Sequence, residues 1–75
     1  MDIQIKTRKD LVEYRFFLPR DKIGYFKFIL EGYEEFGYQS SKKHSEIVTW
    51  KVLENFQGPA HDLLTAILLE ESDSN

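Results

Sequence analysis

Asp21-Lys22-Ile23-Gly24-Tyr25-Phe26-Lys27-Phe28-Ile29, running on to Phe36-Gly37-Tyr38-Gln39, decides how this chain folds. The stretch reads as a turn, a helix with one apolar face, a glycine stop and the start of a strand. At about 100° per residue, Tyr25, Phe36, Ile29, Tyr33, Phe26, Leu30 and Ile23 share one arc of roughly 160°. Lys27, Glu31, Glu34 and Glu35 fall opposite, in solvent. Asp21 is the expected N-cap, its carboxylate accepting from a first-turn amide. Gly24, Phe28 and Gly32 lie along one border of the apolar arc. A helical glycine costs about 1 kcal/mol relative to alanine, which points to close approach by a packed neighbour or a ligand. Gly37 is the expected helix stop.

Working outward, Val12, Tyr14, Phe16 and Leu18 alternate with Glu13 and Arg15 ahead of the helix. That is the clearest strand pattern in the chain. It leaves Phe17 on the opposite face, in need of cover. Ile3, Ile5 and Thr7 alternate with Gln4 and Lys6 and predict an earlier strand over 2–7. After the helix, residues 37–41 begin a strand, Ser41-Lys42-Lys43-His44-Ser45 reads as a polar turn, and 46–53 is rich in β-branched and aromatic residues. Val48, Trp50 and Val52 are placed on the core side, with Ile47, Thr49 and Lys51 outward. Pro59 opens a second amphipathic helix over 59–70, with Ala60, Leu63, Leu64, Ile67 and Leu68 on its apolar side. Residues 72–75 read as a frayed polar tail.

These elements make one domain over residues 1–71, of the α+β class. The expectation is two helices on one face of a four-stranded antiparallel sheet. Without the first strand the order is β-α-β-β-α, a ferredoxin-like unit lacking its last strand. The N-terminal strand takes that place as a hairpin partner, so the expected sheet order is 2–7, 11–18, 46–53, 37–41.

Composition narrows the functions. The chain has 75 residues and no cysteine, so its small core must come from dense packing or self-association. Six Phe, four Tyr and one Trp supply the apolar load. A net charge of −3 argues against nucleic acid as the main partner. Residues 1–27 nevertheless hold seven of the ten basic residues. No apolar run approaches the roughly 20 residues of a membrane span, and the start lacks a signal-peptide pattern. The expected location is cytoplasmic. His44 and His61 are not at metal-ligand spacing, and no nucleophile–base arrangement or phosphate-binding glycine loop is visible, so no enzyme, cofactor or metal is expected.

The segment 21–40 resembles the core motif of ACT domains, small β-α-β-β-α-β regulatory modules. Asp21, Gly24, Phe26, Ile29, Tyr33, Glu35 and Gly37 fit that motif in register. Ile23 stands where the motif has proline, and Gln39 where asparagine is common. The full span is also similar to a family of small stand-alone bacterial proteins of unknown function, with phrases like Phe28-Ile29-Leu30-Glu31-Gly32-Tyr33. The ACT resemblance implies side-by-side homodimers that bind a small metabolite, often an amino acid. It implies a site at the strand-to-helix turn formed by Arg20, Asp21, Ile23, Gly24 and Tyr25, with Gln39 from the next strand. The alternative is a protein-interaction module with Phe17, Phe28 and Ile47 as outward apolar anchors. A third reading, from Lys42-Lys43-His44 near Tyr38 and Trp50, is an RNA-binding sheet.

Overall fold

The computed structural model describes residues 3–43 and 45–72. The elements run β1 (Gln4–Arg8), β2 (Leu11–Phe17), α1 (Arg20–Glu31), β3 (Gly37–Ser41), β4 (Ile47–Leu53), a 3-10 turn at Glu54–Phe56, and α2 (Gln57–Ser72). The four strands form one open antiparallel sheet in the order β1-β2-β4-β3. This is the order expected from the alternation pattern. β1 and β2 are joined by Lys9 and Asp10 alone, so the strand runs on to Arg8, one residue past its expected end at Thr7.

Alternation sets the two faces of the sheet. Val12, Tyr14 and Phe16 of β2 stand opposite Val52, Trp50 and Val48 of β4, and all six are buried. Phe26 and Leu30 of α1, with Ala60, Leu64, Ile67 and Leu68 of α2, complete one continuous core on that face. Phe16 meets Phe26 and Trp50 with ring centroids 6.1 Å apart, the second pair edge-on. Among the described residues no helix covers the other face. Phe17 accordingly stays 53% exposed and receives none of the cover its position called for.

Several local expectations are corrected. Pro19, not Asp21, is the N-cap of α1, and it supplies no side-chain cap. Its fixed φ of −59° suits the helix entry. Asp21 falls inside the first turn. The helix ends at Glu31, six residues before the expected stop at Gly37, with Gly32 as C-cap; the Gly32 N–H donates to the Ile29 carbonyl at 3.1 Å and the Tyr33 N–H to the Leu30 carbonyl at 2.9 Å. The chain then descends through turns to Phe36. Tyr33 therefore falls outside the helix and stays 43% exposed, and Tyr25, within it, is also outside the core at 41% exposed. Phe36 reaches the core from outside the helix, with Tyr33 and Phe56 stacked against it at 5.1 and 5.3 Å.

Gly37 serves the sheet instead of the helix. Its φ is +153°, and a Cβ there would lie 1.9 Å from the Lys51 carbonyl oxygen. Only glycine allows β3 to close on β4 at this point. At the far end, α2 runs Gln57–Ser72, two residues longer at each end than the expected 59–70, and Pro59 sits in its first turn instead of opening it. Of the expected frayed tail, Ser72 closes α2, and residues 73–75 lie outside the described residues, as do His44 and the first two residues.

Candidate functional site

Antiparallel pairing decides which loops meet. Phe17 at the end of β2 pairs with Ile47 at the start of β4, and Ser41 at the end of β3 pairs with Val48. The β2–α1 turn and the β3–β4 loop therefore share one end of the sheet. Leu18 fixes the junction by donating its N–H to the Glu46 carbonyl at 2.9 Å. The loop closes on itself, Ser45 N–H donating to Lys42 O at 3.0 Å. Ser45 Oγ then accepts from the Ile47 N–H at 3.0 Å.

Between turn and loop lies a shallow depression of about 350 Å³ lined by Arg20, Ile23, Gly24, Ser41, Lys42, Lys43 and Ser45. Three of these side chains are cationic, two carry hydroxyls and none is a carboxylate. The positive end of α1 opens on the same place through Arg20 and Gly24. An anion is the ligand such a surface favours. Gly24 presents bare backbone here, since a Cβ on it would have nothing within 4 Å. The approach that a helical glycine calls for is thus not made by a packed neighbour among the described residues.

The six residues assigned to the turn divide. Arg20, Ile23 and Gly24 line the depression together. Asp21 is exposed in the first turn but does not line it, and Tyr25 sets its ring edge-on to Phe26 at 6.2 Å instead. Gln39 lies beneath, only 9% exposed. Its Nε2 donates to the Ile23 carbonyl at 3.0 Å, and its Oε1 accepts from Trp50 Nε1 at 2.7 Å. Gln39 therefore ties the first turn of α1 to the centre of the sheet and holds the depression's wall in place.

Sequence reasoning missed Ser41, Lys42, Lys43 and Ser45. The signal was present. They were read as a polar turn, and the expected strand order already carried that turn to the end of β2. A second, larger depression of about 470 Å³ lies across the loop on the uncovered sheet face, and it shares Ser41, Lys42 and Ser45 with the first.

The three expected apolar anchors do not form one surface. Phe17 and Ile47 are cross-strand partners on the uncovered face, 53% and 47% exposed. Phe28, 75% exposed, projects from α1 in the helical layer. His61, on α2, is exposed with its ring 6.0 Å from that of Tyr14. The Tyr14 hydroxyl is buried and makes no hydrogen bond of good geometry among the described residues. Burial raises its pKa above 10.0, and the side chain of Gln57 offsets part of that rise. Among the described residues no helix is long and apolar enough to cross a membrane, and no group of three His, Cys, Asp or Glu is placed to hold a metal ion.

Comparisons with family models, with curated proteins and with solved structures return no match for this chain.

Proposed function

We propose that this protein is a non-enzymatic, ACT-like regulatory module that senses a small anionic metabolite at its strand-to-helix turn. The observation that carries the reading is the cation-lined depression at Arg20, Ile23 and Gly24. It lies where the motif Asp21 to Gly37 implies a ligand, and an exposed helical glycine faces it. A carboxylate, such as that of an amino acid, suits first-turn amides flanked by Lys42 and Lys43. The strand order supports a ferredoxin-like arrangement, with β1 standing where that unit's last strand would lie. The reading includes a cytoplasmic homodimer.

A thermal-shift screen against amino acids and common metabolites, with mass measured in parallel, tests it. Ligand at 100 times its dissociation constant adds about 2.7 kcal/mol, several degrees in a domain of this size. The expected result is a shift from a carboxylate-bearing compound that disappears in a folded Gly24→Val variant. No shift from any compound, or a shift that Gly24→Val leaves unchanged, would sink it.

The second reading is a protein-interaction module, and Phe28 is the observation that favours it. It is the most exposed of the large apolar side chains. In that case Phe28→Ser abolishes capture of a partner while metabolites have no effect.

A further inference from the structure

We propose that the uncovered face of the sheet binds single-stranded nucleic acid. The pairing register assigns Lys6, Arg8, Arg15 and Lys51 to that face. Among the described strand residues Glu13 is the only carboxylate there, and the Arg8 guanidinium donates to it. The acidic residues collect elsewhere. Glu31, Glu34 and Glu35 lie at the end of α1 and beyond it, and Asp62 and Glu70 on α2. The net charge of −3 therefore hides a sheet face on which Lys6, Arg8, Arg15 and Lys51 outnumber the carboxylate of Glu13.

Charge alone would suit any polyanion. Two aromatic rings narrow the choice. Tyr38 is 55% exposed and Phe17 53% exposed, both on this face. Lys51 Nζ lies 5.8 Å from the centre of the Tyr38 ring, so a cation accompanies a stacking platform. Stacking on exposed rings beside a positive groove is how proteins hold single strands without reading sequence. Lys51 and Ile47, the partners of Tyr38 and Phe17, are four residues apart on β4, about 14 Å along the strand. A bound strand would thus span more than one nucleotide between the rings. The depression of about 470 Å³ on this face offers Arg15 and Lys51 for phosphates, with Ser40 and Thr49 hydroxyls beside them, and the carboxylate of Glu13 that also lines it is paired with Arg8.

Other occupants fit less well. A second copy placed face to face would set this cationic surface against its own like. An acidic peptide satisfies the charge but leaves both rings without a planar partner.

The test is fluorescence anisotropy of a labelled ten-nucleotide oligo-uridine and its oligo-thymidine counterpart with the full chain. With three or four phosphates engaged, affinity should fall by about 20- to 50-fold between 50 and 200 mM salt. Arg15→Ala should lower the salt slope by about 0.7, and Tyr38→Ala should weaken binding about fivefold or more while Tyr38→Phe retains it. Circular dichroism confirms that each variant folds. Absence of binding at 50 mM salt overturns the proposal, as does binding that is indifferent to salt or to both alanine variants. Equal binding of poly-glutamate, unaffected by Tyr38→Ala, overturns it in favour of an acidic peptide. Loss of the metabolite shift would not touch this proposal, because none of these variants lies in the depression at Arg20 and Gly24.

Discussion

Three side chains carry most of the residue-scale consequences. Gln39 satisfies the indole N–H of Trp50, which is fully buried. Gln39→Leu keeps the volume but leaves that donor with no acceptor, at a cost of about 1–3 kcal/mol. A urea titration should register the loss as a lower midpoint with an unchanged slope. Tyr14 is the opposite case, a buried hydroxyl without a well-formed hydrogen bond. Tyr14→Phe should therefore be neutral or stabilising, by up to about 1 kcal/mol. Because its pKa is raised above 10.0 in the folded state, the unfolded chain loses that proton first as pH rises. The contribution is fully present below pH 10 and is lost as pH rises through the folded pKa. Alkaline denaturation followed by circular dichroism should be shallower above pH 10 in Tyr14→Phe than in the parent. Gly37→Ala combines an unfavourable φ with a clash on the Lys51 carbonyl, and about 2–4 kcal/mol of destabilisation is expected.

At the scale of elements, α1 concentrates the tension between stability and binding. Gly24 sits in a helix with open space where its Cβ would be. Gly24→Ala should therefore raise stability by about 0.5–1 kcal/mol. The same methyl would stand between a ligand and the bare backbone, so the thermal midpoint should rise while the ligand-induced shift shrinks. A rise in both would separate Gly24 from any binding role. α1 also illustrates a limit of periodicity. Ile29, Tyr33 and Phe36 continue the apolar arc past Glu31, and the pattern alone carries the helix on to Phe36. The chain turns at Gly32 because Phe36 can then stack on Phe56 and hydrogen-bond Leu53 through its carbonyl at 2.8 Å. Contacts between segments distant in sequence overrode a local signal.

The whole molecule is a thin two-layer structure, and β1 is what completes its sheet. β1 is exposed at every residue, yet it covers the backbone edge of β2, which would otherwise be an open template. A chain lacking residues 1–8 is expected to self-associate, and sedimentation should detect species larger than the parent at equal concentration. Lys6 and Arg8 on β1 discourage the same pairing in the intact chain. The charge layout belongs to this scale as well. A summed charge pointed away from nucleic acid, whereas the register gathers Lys6, Arg8, Arg15 and Lys51 on the uncovered sheet face.

The sequence by itself determined the α+β class, the strand order and the core apart from Tyr25 and Tyr33. Those follow from alternation at Val12 to Leu18 and Ile47 to Leu53, from helical periodicity around Phe26 and Leu30, and from the rule that each apolar stripe must be buried. It also marked Arg20, Ile23 and Gly24, because a glycine at a helix start has a local cause. Tertiary structure decided what depends on distance in space. It joined Ser41 to Ser45 with the turn, drew Gln39 beneath the turn as a tie to Trp50, and set Phe28 apart from Phe17 and Ile47. No periodicity carries that information, since a hydrogen bond between Gln39 and Ile23 exists only once β3 has been laid beside β4 and α1 folded over them.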